Sequence, residues 1–168
     1  AGVTEIGARA FVRCSSLTSF DVVTQYYYTT ALEDTCLLRK KGIGKLVNYA
    51  LAAPATAIII PHTVREINEG AFEGTVNLKS ITFDVTSDSG AVGYINVINN
   101  SAFRFCESVT SIVIPDTITS IGTDSFYGCS SLTSIDIPNS VTSIGSDAFR
   151  YCTSLTSVTI GDSVTSIG

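Results

Sequence analysis

The C-terminal half of this chain repeats itself at every 23rd position. Cys106, Cys129 and Cys152 stand 23 apart, as do Phe103, Phe126 and Phe149, then Ile114, Ile137 and Ile160, then Ile121, Ile144 and Ile167. The unit reads I-P-x-x-V-T-S-I-G-x-x-A-F-x-x-C-x-S-L-T-S-I-x. A fixed period of this size marks a stack of small units, none of which can bury its apolar face alone. The N-terminal half carries the unit with interruptions. Ile6, Phe11, Cys14 and Leu17 fit one copy, and Ile60-Pro61, Val64, Ile67, Ala71-Phe72 and Leu78 fit the next. Phe72 to Phe103 is longer than one period, and Phe11 to Phe72 longer still, which places insertions at about 84–94 and 23–57. Removing both restores five units, with a sixth beginning at Asp162. Residues 1–168 thus read as a single repeat solenoid. The chain starts Ala1-Gly2-Val3 without Met and stops at Gly168 before its sixth Ala-Phe, so a segment of a longer array is expected.

Each unit holds two short runs with strand character. In Leu132-Thr133-Ser134-Ile135-Asp136-Ile137, alternation sets Ile135 and Ile137 on one face and Ser134 and Asp136 on the other. Pro138 then removes a ladder donor and ends the run. Val141-Thr142-Ser143-Ile144-Gly145 reads as a second strand leading to a turn. Asp147 to Cys152 is too short for a long helix and reads as one helical or 3₁₀ turn that drops Phe149 into the core. The expected fold is therefore a mostly β solenoid with parallel strands and short helical turns, interrupted by a hairpin-like insertion. Its rungs stack at about 4.8 Å.

The phrases Ser140-Val141-Thr142-Ser143-Ile144-Gly145-Ser146-Asp147-Ala148-Phe149 and Cys152-Thr153-Ser154-Leu155-Thr156-Ser157 resemble the BspA-like, treponemal-type leucine-rich repeat almost residue for residue. The resemblance covers the chain apart from its insertions. It implies a leucine-rich-repeat solenoid from a large secreted or surface-attached protein, of the kind associated with adhesion to host proteins, other cells or matrix. It transfers no catalytic residue. Thr75 stands where the unit expects Cys, Ser125 replaces Ala, Gly161 replaces Pro, and Asn68 and Asn99 replace Gly.

Composition excludes several classes. Ser and Thr account for 42 of 168 residues, yet mean hydropathy is +0.35, above the range of disordered chains. The longest apolar stretch, Tyr49 to Pro61, is broken by Pro54 and Thr56 and falls short of the ~20 residues of a membrane-spanning helix. A net charge of −5 argues against nucleic acid as partner.

The side chains that could carry chemistry are few. Cys14, Cys106, Cys129 and Cys152 share one place in the unit. Stacked thiols pointing the same way suit a packed ladder, with Phe11, Phe72, Phe103, Phe126 and Phe149 as a second column. Disulfides, which a secreted context would suggest, need facing Cβ vectors, and zinc needs closely paired ligands. Cys36 stands alone in the first insertion. His62 is the only histidine, and no carboxylate or nucleophile stands at a suggestive spacing, so it reads as an exposed loop residue. No phosphate loop, nucleophile elbow or zinc motif is present, and neither enzyme activity, a cofactor nor a metal is expected.

The remaining features suggest contact surfaces. The first insertion joins Tyr26, Tyr27 and Tyr28 to Arg39, Lys40, Lys41 and Lys45, with Thr35 to Tyr49 reading as two strands about a basic turn. From residue 81 onward Arg104 and Arg150 face eight Asp and Glu, so a basic projection stands on an acidic body. It could meet an acidic partner or another copy of this chain, or be a plain solvated hairpin. Asp84 to Gly90 is oxygen-rich, but two carboxylates fall short of a calcium loop. Asn99-Asn100-Ser101 is a formal glycosylation sequon. Outward strand positions Ser19, Asp21, Ser80, Thr82, Ser111, Val113, Ser134, Asp136, Ser157 and Thr159 form a weakly acidic face suited to extended partners. The alternative is that Ser and Thr simply suit solvated strands. Three roles remain: a cell-surface or secreted adhesion module that binds proteins; a self-associating structural subunit of a filament or surface layer; and an ice or crystal binder built on Thr119, Thr142 and Thr165. The third is weakened because Ser120, Ser143 and Ser166 do not extend a flat threonine array.

Overall fold

A computed structural model describes residues 4–21, 27–30, 34–40, 44–50, 52–84 and 95–168, with backbone only for the strands within 27–40. The chain winds as a parallel-strand β-solenoid of about five turns. One wall is an eight-stranded sheet. It begins with three antiparallel strands, β1 (Tyr27–Thr30), β2 (Asp34–Lys40) and β3 (Lys45–Tyr49). It then continues in parallel through β5 (Glu66–Ile67), β7 (Val97–Ile98), β9 (Ser120–Ile121), β11 (Ser143–Ile144) and β13 (Ser166–Ile167). The opposite wall holds β4 (Ala57–Ile60), β6 (Ser80–Phe83) and β8 (Ser111–Ile112), followed by the pair β10 (Ser134–Ile137) and β12 (Ser157–Ile160). The period sets the pairing: Ser134 faces Ser157 and Ile144 faces Ile167, each one unit away.

Alternation places the apolar residues inside. Ile58, Ile81, Ile112 and Ile135 line one wall and Leu46, Ile67, Ile98, Ile121 and Ile144 the other, all buried in one continuous core. The third side is an aromatic column. Ring centroids lie 5.3 Å apart for Tyr49–Phe72, 5.0 Å for Phe72–Phe103, 5.3 Å for Phe103–Phe126 and 5.3 Å for Phe126–Phe149, all stacked. That spacing is set by the rungs, because each ring hangs from the same backbone position. Such pairs add about 0.5–1.5 kcal/mol beyond burial of their area.

Two sequence expectations are corrected here. Phe11 is not in the aromatic column. It packs edge-on against Phe20 at 5.2 Å, in a small cluster with Ile6 and Val47. The place next to Phe72 belongs to Tyr49, and Leu46 pairs with Ile67. Residues 44–50 and 52–60, most of which read as insertion, thus form a rung of their own, two residues shorter between its strand and its ring. The expected helical turns are also absent among the described residues. The turn carrying each Phe has i→i−3 bonds, such as Arg150 N–H to Asp147 O at 3.0 Å and Cys152 N–H to Phe149 O at 3.2 Å. Two left-handed residues four apart interrupt it in every full rung: Arg9 and Arg13, Gly70 and Gly74, Ser101 and Phe105, Asp124 and Gly128, Asp147 and Tyr151. A left-handed residue cannot propagate a right-handed helix. Alternate N–H groups of the turn point to the next rung instead, as in Phe126 N–H to Ala148 O at 2.9 Å and Gly128 N–H to Arg150 O at 2.8 Å.

Phe126→Ala should cost about 3–5 kcal/mol, because it empties a fully buried place between two stacked rings. Phe11→Ala, at a half-buried site outside the column, should cost clearly less. Urea denaturation of both variants measures the difference.

Candidate functional site

The wall of β4, β6, β8, β10 and β12 is paired in register within two sets, β4–β6–β8 and β10–β12. Ala57, Ser80 and Ser111 form one outward row, and Ser134 and Ser157 another. Ile59 pairs with Thr82, and Asp136 with Thr159. The strands β4 and β10 alternate strictly between exposed and buried, so Ser134 and Asp136 point outward while Ile135 and Ile137 point in. Ser19 and Asp21 are exposed but lie in irregular chain ahead of these strands. The face also holds two apolar bumps, Ile59 (65% exposed) and Val113 (62%), on either side of Thr82. Sequence reasoning named Val113 but not Ile59, whose rung it read as insertion.

Threonine hydroxyls on the solenoid serve the backbone. Thr119 donates to Asn96 O at 3.0 Å, Thr142 to Thr119 O at 3.2 Å and Thr165 to Thr142 O at 3.1 Å. Each hydroxyl ties its rung to the one before, so this column is part of the ladder rather than a free hydroxyl array.

The basic hairpin is built as two antiparallel strands, β2 and β3, and β1 adds a third. Tyr27 lies opposite Lys40 and Tyr28 opposite Arg39, while Lys40 in turn pairs with Lys45. Tyr26 and Lys41 lie outside the described residues. The Lys45 ammonium is 2.9 Å from a Glu66 carboxylate oxygen, so this cation is already committed to the neighbouring rung.

The edge formed by the Phe-bearing turns is the other distinctive surface. The Arg104 guanidinium lies 4.6 Å from the Phe105 ring centre and 4.7 Å from that of Tyr127, and Arg150 lies 5.0 Å from that of Tyr151. Phe105, Tyr127 and Tyr151 meet edge to face at 5.4 and 5.2 Å. Arg104 also approaches buried Glu73, which Arg9 contacts at 2.8 Å across two rungs.

The repeats that build these surfaces match the description BspA type leucine rich repeat region, in six copies over residues 1–89 and 49–168. The chain belongs to this family of leucine-rich-repeat proteins. Among solved structures, a leucine rich cell surface protein from Faecalibacterium prausnitzii is 29% identical, with a TM-score of 0.70 over 94% of this chain and 45% of its own. A leucine-rich repeat protein from Eubacterium ventriosum is 24% identical, with a TM-score of 0.67 over 95% of this chain and 45% of its own. The pneumococcal vaccine antigen PcpA shares the fold at 21% identity, with a TM-score of 0.68 over 78% of this chain and 32% of its own. This chain thus spans less than half the length of each. No curated protein sequence matches it. Repeat proteins of this family are typically non-enzymatic, and no helix among the described residues is long and apolar enough to cross a membrane.

The other residues singled out in the sequence take definite places. Sequence reasoning found no partner for His62, but its Nδ1 lies 2.8 Å from Asp84 Oδ2. Their separation of 22 positions is close to one period, and that is the signal the sequence offers. The rest of the expected oxygen-rich loop, including Asp88, lies outside the described residues. Asn99 of the sequon donates its amide to Ile67 O at 2.8 Å, and Ser101 is buried. The atom that glycosylation would modify is therefore occupied in the folded chain. Among the described residues no group of three or more His, Cys, Asp and Glu is placed to hold a metal ion.

Among the described thiols, Cys106, Cys129 and Cys152 form a column, donating to the carbonyls of Phe72, Phe103 and Phe126 at 3.1, 3.2 and 3.2 Å. Thr75, in the Cys place of its rung, donates to the Cys106 sulfur at 3.3 Å. Cys14 is free and exposed, outside this column. The side chain of Cys36 lies outside the described residues. Hydrogen bonding with Cys106, then burial, pushes the Cys129 thiol well above its ordinary range, and burial raises that of Cys152. In native protein Cys14 should react with maleimide first, while Cys106 and Cys129 should react only after unfolding, as read by mass spectrometry. A raised thiol keeps its proton in the folded state at pH values where the unfolded chain has lost it. Stability should therefore fall as pH rises above about 8.5, and Cys129→Ser should flatten that fall in urea titrations.

Proposed function

We propose that this chain is a non-enzymatic, protein-binding module of an extracellular or cell-surface protein, and that the wall of β4, β6, β8, β10 and β12 is its contact face. The observation that carries this reading is the register of that wall. Ser80 and Ser111, with Thr82 and Val113, and Ser134 and Ser157, with Asp136 and Thr159, present short side chains at rung spacing in two in-register sets of strands, β4–β6–β8 and β10–β12. Short side chains lose little rotamer freedom on contact, and rung-repeated contacts add by multivalency. Ile59 and Val113 supply exposed apolar area, and Asp136 supplies charge. The name of the Faecalibacterium relative, a cell surface protein, supports the location. Ser19 and Asp21 extend the face toward the first rung. The ligands are host, matrix or other cell-surface proteins, and no cofactor, nucleic acid or membrane takes part.

A second reading rests on a separate observation. β1 is the outermost strand of the long sheet, and the basic hairpin, with Arg39 and Lys40 in β2 and Lys41 beyond it, stands before rungs that are mostly acidic. Those two features support assembly of copies into a filament or surface layer.

Purified chain should bind immobilised matrix proteins or cultured cells saturably in solid-phase assay. The double substitution Ser134→Arg with Asp136→Arg should reduce that binding at least tenfold. Its unfolding free energy should stay within about 0.5 kcal/mol of the parent chain, as surface changes typically do. A monomer by light scattering is expected. Ordered polymers without added ligand, weakening with salt, would favour the structural role instead.

A further inference from the structure

Ile59, Thr82 and Val113 form one outward row across three neighbouring strands. Ile59 stands opposite Thr82, and Val113 follows the pair Ile81 and Ile112, with its N–H on Ile81 O at 3.2 Å. Ile59 and Val113 keep most of their surface in solvent. The strand wall does not require this, because the same place in the next pair is filled by Asp136 and Thr159. Thr82 is the shorter residue between them, and its hydroxyl turns back toward Ile58 O at 3.4 Å. The row beside it, Ala57, Ser80 and Ser111, carries nothing longer than a hydroxymethyl group. The result is a notch, with two branched aliphatic walls two rungs, or about 10 Å, apart.

Toward β12 the wall turns acidic. Asp136 is exposed one period beyond Val113, and Asp116 and Asp162 are exposed in the turns that follow β8 and β12. Other carboxylates of the solenoid are committed: Asp84 to His62, Asp124 to Arg104 and Asp147 to Arg150. Asp116, Asp136 and Asp162 have no such partner among the described residues. Lys79, exposed just ahead of β6, stands two rungs before Asp136. Uncommitted negative charge thus adjoins uncovered aliphatic surface on one face.

We propose that this face takes an extended segment of a partner protein in which an aliphatic residue is followed, two places on, by Lys or Arg. The aliphatic side chain sits over Thr82 between Ile59 and Val113. The cation reaches Asp136. Residues two apart on an extended chain share a face and lie about 6.6–7 Å from each other. Thr82 to Asp136 is two rungs, about 10 Å, and the flexible stem of Lys or Arg spans the difference while its methylenes pass Val113. Asp116 and Asp162, on either side of Asp136 along the axis, favour cationic segments and repel acidic ones. The inference rests on the proposed contact face and adds the chemistry and direction of what binds there.

The test uses the whole chain, ¹⁵N-labelled, titrated with acetyl-Thr-Leu-Thr-Arg-Thr-amide and with its Arg-to-Glu and Leu-to-Ser forms. The Leu/Arg peptide should shift the amide resonances of Ile59, Thr82, Val113 and Asp136 saturably, with a dissociation constant of roughly 0.5–5 mM. Added salt should weaken it. Each of the other two peptides should bind at least fivefold more weakly. Ile59→Ser with Val113→Ser should abolish the shifts, and Asp136→Asn should remove the preference for the Arg peptide over the Glu form. These substitutions change exposed side chains, so the variants stay folded. Equal binding of the Glu or Ser form, shifts that survive the double substitution, or self-association of the chain through this row without peptide, would overturn the proposal. Solid-phase assays separate it from the contact-face reading. If Ser134→Arg with Asp136→Arg abolishes matrix binding while the three peptides are not told apart, the contact face stands and the partner chemistry fails. If the Leu/Arg peptide binds the row but matrix binding survives both double substitutions, the row stands as a peptide site and the contact-face role fails.

Discussion

Everything in this molecule follows from the rung-to-rung backbone hydrogen bond. Parallel pairing fixes neighbouring rungs at about 4.8 Å, so each side chain must be compatible with a near-copy of itself one step away. Few groups meet that demand inside a core. Branched aliphatics pack on themselves, and benzene rings stack face to face, as the 5.0–5.3 Å column from Tyr49 to Phe149 does. A thiol meets it by donating back to a carbonyl of the previous rung. Like charges stacked at this distance would repel. The low charge of the repeats and the abundance of Ser and Thr are thus requirements of stacking rather than a signature of any one ligand.

The same constraint decided what could be read from the chain before its fold was known. Positions that recur once per period had to stack, and the strands, the buried isoleucines and the thiol column of Cys106, Cys129 and Cys152 were legible in that way. The rung at 44–60 was not. It has Val47 where the unit carries Gly, has neither Phe nor Cys, and is two residues short, so Leu46-Val47-Asn48-Tyr49 resembled insertion even though Tyr49 completes the aromatic column. Phe11 was misplaced for the same reason, having been matched to the pattern without its neighbouring rung. The turns were read as helical because six-residue spans with Ala and Phe suit a helix. What decides them is a pair of left-handed residues, and at Ser101, Phe105, Asp124, Asp147 and Tyr151 no glycine announces that conformation.

The candidate surfaces divide along similar lines. The strand wall was legible because alternation alone assigns its outward residues, and only Ala57 and Ile59 of β4 escaped it. The aromatic edge was invisible, since Phe105 and Tyr151 share a column with glycines, and their meaning lies in which rung each ring leans toward. His62 and Asp84 illustrate a rule of use for any such array: residues close to one period apart should be tested as neighbours even when nothing else links them.

Phe72 and Phe103 stack at 5.0 Å although the chain between them runs well beyond one period. The array is in place up to Asp84 and again from Ile95, and the column is undisturbed on either side. The entropic cost of closing such an excursion grows only slowly with its length, and the rung on each side is held by its own ladder. The span between these two residues is therefore a socket. Foreign sequence, an epitope or a whole small domain, can be spliced in there and displayed from the scaffold while the registry of the stack is left intact.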